Sequence, residues 1–115
     1  MGFFRTASSL LEEISLTAPD LLPNVAVVDF NPVVHAQLKV RGIRVVYGDI
    51  SQRDTLAHAG VGAAEVLVCT IPDSLLKGST NEKLVRQLRD LNPTAKIIAP
   101  AETIADVARL RAAGA

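Results

Sequence analysis

The chain has 115 residues, of which 49% are apolar, and its twelve basic side chains balance twelve acidic ones. This length suits one domain spanning 1–115, and the neutral charge with only three phenylalanines and one tyrosine argues against a nucleic-acid partner. The apolar runs are shorter than the about 20 residues of a membrane span, and the lone Cys69 suits a reducing compartment such as the cytoplasm.

The first predicted helix is amphipathic and follows the segment GFFRTA at 2–7. Leu10, Leu11 and Ile14 supply its apolar stripe at helical spacing, and two consecutive glutamates supply its polar face. Because Arg5 and these glutamates interrupt the N-terminal apolar stretch, we expect no secretory leader.

Residues 25–49, VAVVDFNPVVHAQLKVRGIRVVYGD, predict a strand, a helix and a second strand. The runs VAVV and IRVVY are apolar and rich in β-branched residues, as in the buried strands of a parallel sheet. Asn31 as N-cap and Pro32 as the first helical residue predict where the helix begins, and Gly42 predicts its left-handed end. Two parallel strands joined by a helical crossover form half of a nucleotide-binding fold.

The rest of the chain continues the same alternation. Two further strands are predicted at 65–71 and 95–99, and three further helices at 51–59, 79–91 and 102–113. The first two of these helices begin with the sequences SQRD and STNE, which have the spacing of a capping box. The alternation predicts an α/β fold with a Rossmann-like, doubly wound parallel sheet.

Segments from almost the whole chain resemble the RCK N-terminal domain, also called KTN or TrkA-N. They include VAVVDFNPVV, GIRVVYGDIS, AAEVLVCTIPD and LVRQLRDLNPTAKIIA, in the family's order and spacing. Family members are cytoplasmic nucleotide-binding domains that regulate potassium channels, potassium uptake systems and Kef-type potassium/proton antiporters. GFFR, VVDFNP and TIPDSLLKG are most similar to the antiporter domains. The resemblance implies a regulatory, non-enzymatic domain of a potassium or cation transport protein, acting at the cytoplasmic face of the membrane by ligand-dependent conformational change.

Within that family, GFFRTA takes the place of the glycine-rich phosphate turn between the first strand and the first helix. Phe4 stands at the second glycine of the fingerprint, where the backbone must approach the pyrophosphate. No apolar strand precedes Gly2 in this sequence, so a sheet ordered 3-2-1-4-5 would lack its central strand. We therefore expect a fold truncated before its first strand, or one whose bare strand edges are closed by a partner, as in a homodimer.

The resemblance places ligand contacts at the carboxyl ends of the first two predicted strands. Asp29, with Phe30 and Asn31 beside it, would hold ribose hydroxyls, which suits NAD(H) or AMP, ADP or ATP better than NADP. Asp49 would accept a hydrogen bond from the adenine amino group, with Ile50 packed on the base. The alternative for both aspartates is an ordinary role in stabilising a turn.

Further contacts are implied around the ribose and phosphates. Thr70 and Ile71 end the third predicted strand at the topological switch point, where ligands lie in open α/β sheets; the alternative is that they are ordinary strand residues. Gly2 would lie in the phosphate turn, and Arg5 and Thr6 would contact phosphate directly in place of lost backbone donors, Arg5 by charge-assisted hydrogen bonds. The alternative for Arg5 is an exposed side chain at a frayed terminus.

Two other functions remain open. A ligand-free structural dimerisation module of the same fold is favoured by Phe4, and a fragment of an NAD-dependent oxidoreductase is suggested by RVVYGDIS. The only tyrosine, Tyr47, has Ser51 four residues later instead of the lysine that short-chain dehydrogenases use, and the sequence offers no nucleophile paired with a base. His35 and His58 are lone histidines on predicted helices, with no Cys, His or carboxylate cluster at ligand spacing, so we expect no metal site.

Overall fold

The computed structural model describes residues 2–29, 32–40, 42–76 and 79–115, apart from the side chains at 2–6, 32, 34, 35 and 75. Helices and strands alternate over these ranges, as predicted. The helices are α1 (Gly2–Thr17), α2 (Pro32–Val40), α3 (Arg53–His58), α4 (Asn81–Leu91) and α5 (Ile104–Ala113). The strands are β1 (Ala26–Asp29), β2 (Arg44–Tyr47), β3 (Val66–Val68) and β4 (Lys96–Ile98).

The strands form two separate two-stranded sheets, both parallel. In the first sheet β1 pairs with β2, and Val27 lies opposite Val45. In the second sheet β3 pairs with β4, and Leu67 lies opposite Ile97. These pairs correspond to strands 2-3 and 4-5 of the predicted order, so the break between the sheets falls where strand 1 was expected. Over the described residues, β1 and β3 therefore each pair along one edge only.

Two apolar cores hold the helices against these sheets. The larger core joins α3, α4 and α5 to β4, and it consists of Leu56, Val61, Leu84, Val85, Leu88, Ile97, Leu110 and Ala113. The smaller core joins α1 and α2 to the start of β2 through Leu11, Leu38 and Ile43. In α4 the buried residues Leu84, Val85 and Leu88 lie on one side of the helix, whereas in α1 only Leu11 of the predicted stripe is fully buried and Leu10 is exposed.

Backbone signals located several element ends correctly. Pro32 is the first residue of α2, where its missing N–H is no loss. Gly42 and Gly60 follow α2 and α3 with φ angles of 77° and 86°, in the left-handed region that glycine adopts without strain. The last residue of α4 is Leu91, where the predicted range 79–91 ended, and Asn92 is its C-cap.

Side-chain capping was predicted less well. The SQRD capping box is wrong, because α3 begins only at Arg53 and its N-cap, Gln52, makes no side-chain capping bond. In α4 the N-cap is Thr80, not Ser79, and its side chain accepts a hydrogen bond from the Lys83 N–H at 3.2 Å. In both helices several polar residues lie within one turn of the start, and the predicted N-cap was not the residue that holds this position.

The segment GFFRTA is helical from Gly2 onward, so the prediction of a phosphate turn preceding the helix is wrong. No proline or second glycine interrupts residues 3–7, and the helix therefore extends through them. The third strand is also shorter than predicted, since β3 ends at Val68 and leaves Thr70 and Ile71 in the following loop.

Candidate functional site

The carboxyl ends of β1 and β2 meet at one edge of the first sheet. Asp29 is the last residue of β1 and lies opposite Tyr47, the last residue of β2. The Gly48 N–H donates to the Asp29 carbonyl oxygen at 3.1 Å, which extends the pairing by one residue. Asp49 follows directly. The two predicted aspartates are therefore at the same edge, on neighbouring strands.

These two carboxylates have different surroundings. Asp29 is only 4% exposed, whereas Asp49 is exposed. Oδ1 of Asp49 accepts hydrogen bonds from the Ser51 N–H at 2.9 Å and from the Ser51 hydroxyl at 2.8 Å. The backbone bond, followed by the hydroxyl bond, lowers the pKa of Asp49 below its ordinary value. Asp49 thus has the turn-stabilising geometry that was the alternative to an adenine contact.

The other candidates near this edge are placed as follows. Ile50 is half-buried and packs against the larger core, so part of its side chain already contacts protein. Phe30 and Asn31 lie outside the described residues. Gly2, Arg5 and Thr6 belong to the first two turns of α1, and their side chains also lie outside the described part of the chain.

Thr70 and Ile71 are half-buried in the loop after β3. Strand pairing continues just beyond β3, because the Cys69 N–H donates to the Ile98 carbonyl oxygen at 2.8 Å. The loop then leaves the sheet, and the Asn81 side chain, at the start of α4, donates to the Ile71 carbonyl oxygen at 2.8 Å. These residues are thus placed at the carboxyl edge of the second sheet, outside any regular strand.

Asn81 is a residue that the sequence reasoning missed. It is 1% exposed, and both its backbone N–H and its Nδ2 donate to Oδ1 of Asp73, each at 2.8 Å. One sequence signal could have identified it. An asparagine at the first position of an amphipathic helix is usually exposed, so its role here could have been questioned. The capping-box interpretation treated it only as a spacer inside STNE.

A cavity of about 240 Å³ lies between the loop after β3 and the N-terminal parts of α4 and α5. It is lined by Asp73, Thr80, Glu82, Pro100, Glu102, Asp106, Arg109 and Leu110. Four of these side chains are carboxylates and only one is cationic, so the cavity repels phosphate. None of the predicted ligand contacts lines it, and it does not coincide with the edge formed by β1 and β2.

Three further features of the described residues concern metal ligands, the single cysteine and membrane-spanning helices. Within these residues no three His, Cys, Asp or Glu side chains are grouped as metal ligands. Burial raises the pKa of the Cys69 thiol to about 12, so at neutral pH it is a protonated, weakly reactive group. Over the same described ranges, no helix has the length and apolarity needed to cross a bilayer.

Comparison with known proteins gives consistent results. The chain is 36% identical over 90 residues to the glutathione-regulated potassium-efflux system protein KefC of Escherichia coli O9:H4 (strain HS). The same protein of Shigella boydii serotype 18 also matches at 36% over 90 residues. Each match covers 78% of this chain and 14% of the relative, so the chain spans about a seventh of the length of these relatives.

A solved structure shows the same fold. The crystal structure of the TrkA-N domain of inner membrane protein ybaL from Escherichia coli matches with a TM-score of 0.83 at 28% identity. The match covers 99% of this chain and 78% of that chain. The family model for the TrkA-N domain matches residues 1–115. The resemblance found in the sequence is thereby confirmed, and the chain belongs to the TrkA-N domain family.

Proposed function

We propose that the chain is a regulatory nucleotide-binding domain of a potassium-efflux protein. It binds an adenosine nucleotide, AMP, ADP or ATP, or NAD(H), and passes this signal by a change of conformation to a membrane transporter at the cytoplasmic face. The observation that carries the proposal is the position of Asp29 and Asp49 at one carboxyl edge of a parallel sheet. The naming of the KefC relatives as potassium-efflux proteins supports the transport role.

The chemistry of this edge suits the adenosine part of a nucleotide. Asp29, nearly buried, offers carboxylate oxygens to ribose hydroxyls at the end of β1, the position that parallel nucleotide-binding sheets use for this purpose. The same carboxylate repels a 2′-phosphate, which favours NAD(H) over NADP. Asp49 adds a second acceptor one strand away, and Thr70 with Ile71 would approach from the second sheet.

The proposal involves binding without catalysis. Carboxylates that accept hydrogen bonds from hydroxyl and amino groups position a ligand, and the proposed contacts of Asp29 and Asp49 are of this kind and break no bond in it. A ligand that binds two arrangements of the domain with different affinity shifts their populations, and this is sufficient for regulation.

A ligand-free dimerisation module is the second candidate, and one observation favours it. Val66, Val68 and Ile98 lie on one face of the second sheet and are 53%, 42% and 47% exposed. An exposed apolar sheet face of this kind suits contact with another protein surface, such as a second copy of the chain.

Thermal unfolding with a panel of AMP, ADP, ATP, NADH and NADPH tests the proposal. A ligand present at a hundred times its Kd stabilises the folded state by about 2.7 kcal/mol, which gives a clear rise in Tm. We expect such a rise with at least one ligand other than NADPH. The rise should be lost in Asp29→Asn and kept in Asp20→Asn, which changes an exposed aspartate in the segment before β1. A chain that is dimeric by light scattering and unaffected by every nucleotide would instead be the dimerisation module.

A further inference from the structure

We propose that Asn81 is a positioning residue for the nucleotide site. Its amide fixes the loop after β3, and so holds Thr70 and Ile71 where a bound nucleotide would meet them. This inference rests on the proposed function. It adds to the proposed site a residue of α4 that contacts the loop but not the ligand.

The contacts of Asn81 reach both sides of Pro72. One N–H of its Nδ2 donates to the Ile71 carbonyl oxygen at 2.8 Å, and Nδ2 also donates to Oδ1 of Asp73 at 2.8 Å. The Asn81 backbone N–H donates to the same Asp73 oxygen at 2.8 Å. Proline has no N–H of its own, so Pro72 donates no backbone hydrogen bond within the loop. One side chain therefore fixes a three-residue segment.

The orientation of the Asn81 amide follows from its surroundings. A reversed amide would direct its oxygen at two acceptors, the Ile71 carbonyl and the Asp73 carboxylate, and would lose both hydrogen bonds. In the observed orientation Oδ1 is buried and has no hydrogen-bond partner among the described residues. A buried acceptor without a partner lowers stability, so the hold of Asn81 on the loop comes from its Nδ2 and backbone N–H donors.

The helix that carries Asn81 is firmly packed. Asn81 is the first residue of α4, whose N-terminus is capped by Thr80. The same helix buries Leu84, Val85 and Leu88 in the larger core. A loop bonded to such a helix keeps its backbone conformation in the absence of ligand. A loop released from it must be ordered during binding, and this ordering weakens affinity.

The chain offers a matched control at the opposite end of α4. Asn92 is 2% exposed, and its Nδ2 also donates two hydrogen bonds, in this case to the backbone carbonyl oxygens of Val61 at 2.8 Å and Ala64 at 2.7 Å. Asn92 lies eleven positions after Asn81, about 16 Å along the helix axis, so it bonds loops at the amino ends of the strands. Both amides support folding, but only Asn81 is placed to position Thr70 and Ile71.

The test compares Asn81→Leu with Asn92→Leu by calorimetric titration of the whole chain with AMP and with NADH. All measurements are made at a temperature where circular dichroism shows each variant folded. We expect Asn81→Leu to weaken nucleotide binding by about tenfold or more, and Asn92→Leu to lower Tm while leaving affinity within about twofold. Unchanged affinity in Asn81→Leu, or an equal loss in both variants, would overturn the inference.

A second pair of variants decides the matter if Asn81→Leu does not fold. Asp73→Ala removes the acceptor of two of the three bonds from an exposed loop residue, and Asp73→Asn keeps an oxygen that can accept them. We expect weak binding in the first and near wild-type binding in the second. Equal affinity in both would overturn the positioning role. If the wild-type chain binds none of AMP, ADP, ATP and NADH, the proposed function itself fails, and this inference fails with it.

Discussion

The Gly48 N–H donates to the Asp29 carbonyl oxygen at 3.1 Å, and this bond joins the carboxyl ends of β1 and β2. It fixes the backbone between a nearly buried carboxylate and an exposed one at Asp49. The spacing of the two carboxylates therefore depends on a backbone contact at a glycine. Changes at Gly48 should alter this edge without removing any side chain that is proposed to bind.

The first prediction concerns the space around Gly48. A Cβ at this position would lie 2.6 Å from Cγ2 and 3.0 Å from Oγ1 of Thr55. We expect Gly48→Ala to lower the free energy of unfolding by about 1–3 kcal/mol, because the β-branched side chain of Thr55 has few other rotamers in which it could avoid the new methyl group. Adding Thr55→Ala should recover most of the loss, as measured by urea unfolding.

Gly62→Ala is the control for this prediction. Among the described residues, its Cβ would meet only the Leu91 carbonyl oxygen, at 3.4 Å, so the loss of stability should be small. If Gly48→Ala is as stable as the wild type, or if Thr55→Ala does not rescue it, the tight contact between Gly48 and Thr55 does not exist in solution.

The second prediction concerns the ionisation of Asp49. Its pKa should lie below the ordinary aspartate value, chiefly because of the Ser51 N–H and secondly because of the Ser51 hydroxyl. The lowered pKa contributes stability above the pKa of the unfolded chain, and this contribution is lost as the pH falls through the folded pKa. In Ser51→Ala the pKa should rise only part of the way, since the backbone bond remains. A carboxyl-carbon NMR titration measures both values, and an unshifted wild-type pKa would contradict the turn geometry.

The third prediction concerns Asn92, whose side chain bridges three segments. Besides its two donor bonds, its Oδ1 accepts hydrogen bonds from the Thr94 N–H at 3.2 Å and the Ala95 N–H at 2.9 Å. Asn92→Ala should lower the free energy of unfolding by about 2–4 kcal/mol, because several buried backbone groups lose their partners. Thr94→Ala removes only a 3.3 Å hydroxyl bond, and its effect should stay below about 1 kcal/mol. Chemical denaturation of both variants checks the ranking, which equal losses would refute.

The fourth prediction compares the two cores. The larger core contains eight buried side chains and the smaller core three, counting described residues only. Local opening is easiest where few apolar contacts must be broken. Amide hydrogen exchange should therefore be slower in α4 and β4 than in α2 and β1. Uniform protection across both sheets would mean that the cores open as one unit.

The sequence predicted the order of elements well because the signals for that order are local. Pro32 and Gly42 fix the ends of α2 through backbone restrictions that need no partner. Parallel pairing of β1 and β2 also followed from their apolar runs and the helix between them. Competition between nearby polar groups was harder to judge, and the Ser51 hydroxyl donates to Asp49 at 2.8 Å instead of capping α3.

The buried amides could not be predicted because their partners are distant in the chain. Asn81 bonds a carbonyl ten residues earlier, and Asn92 bonds one that is thirty-one residues earlier. Nothing in a local pattern distinguishes such residues from ordinary helix ends. For the candidate site, the shared edge of Asp29 and Asp49 followed from strand alternation, whereas the separation into two sheets was expected only through the family resemblance.

The central claim is that the carboxyl edge of β1 and β2 holds an adenosine group. It is tested most directly by recording ¹H–¹⁵N NMR spectra of the labelled chain during titration with AMP and with NADH. The account predicts saturable shifts of the amides of Asp29, Gly48, Asp49 and Ile50, and their loss in Asp29→Asn. Shifts confined to the acidic cavity beside α5, or to the amino ends of the strands, would contradict it.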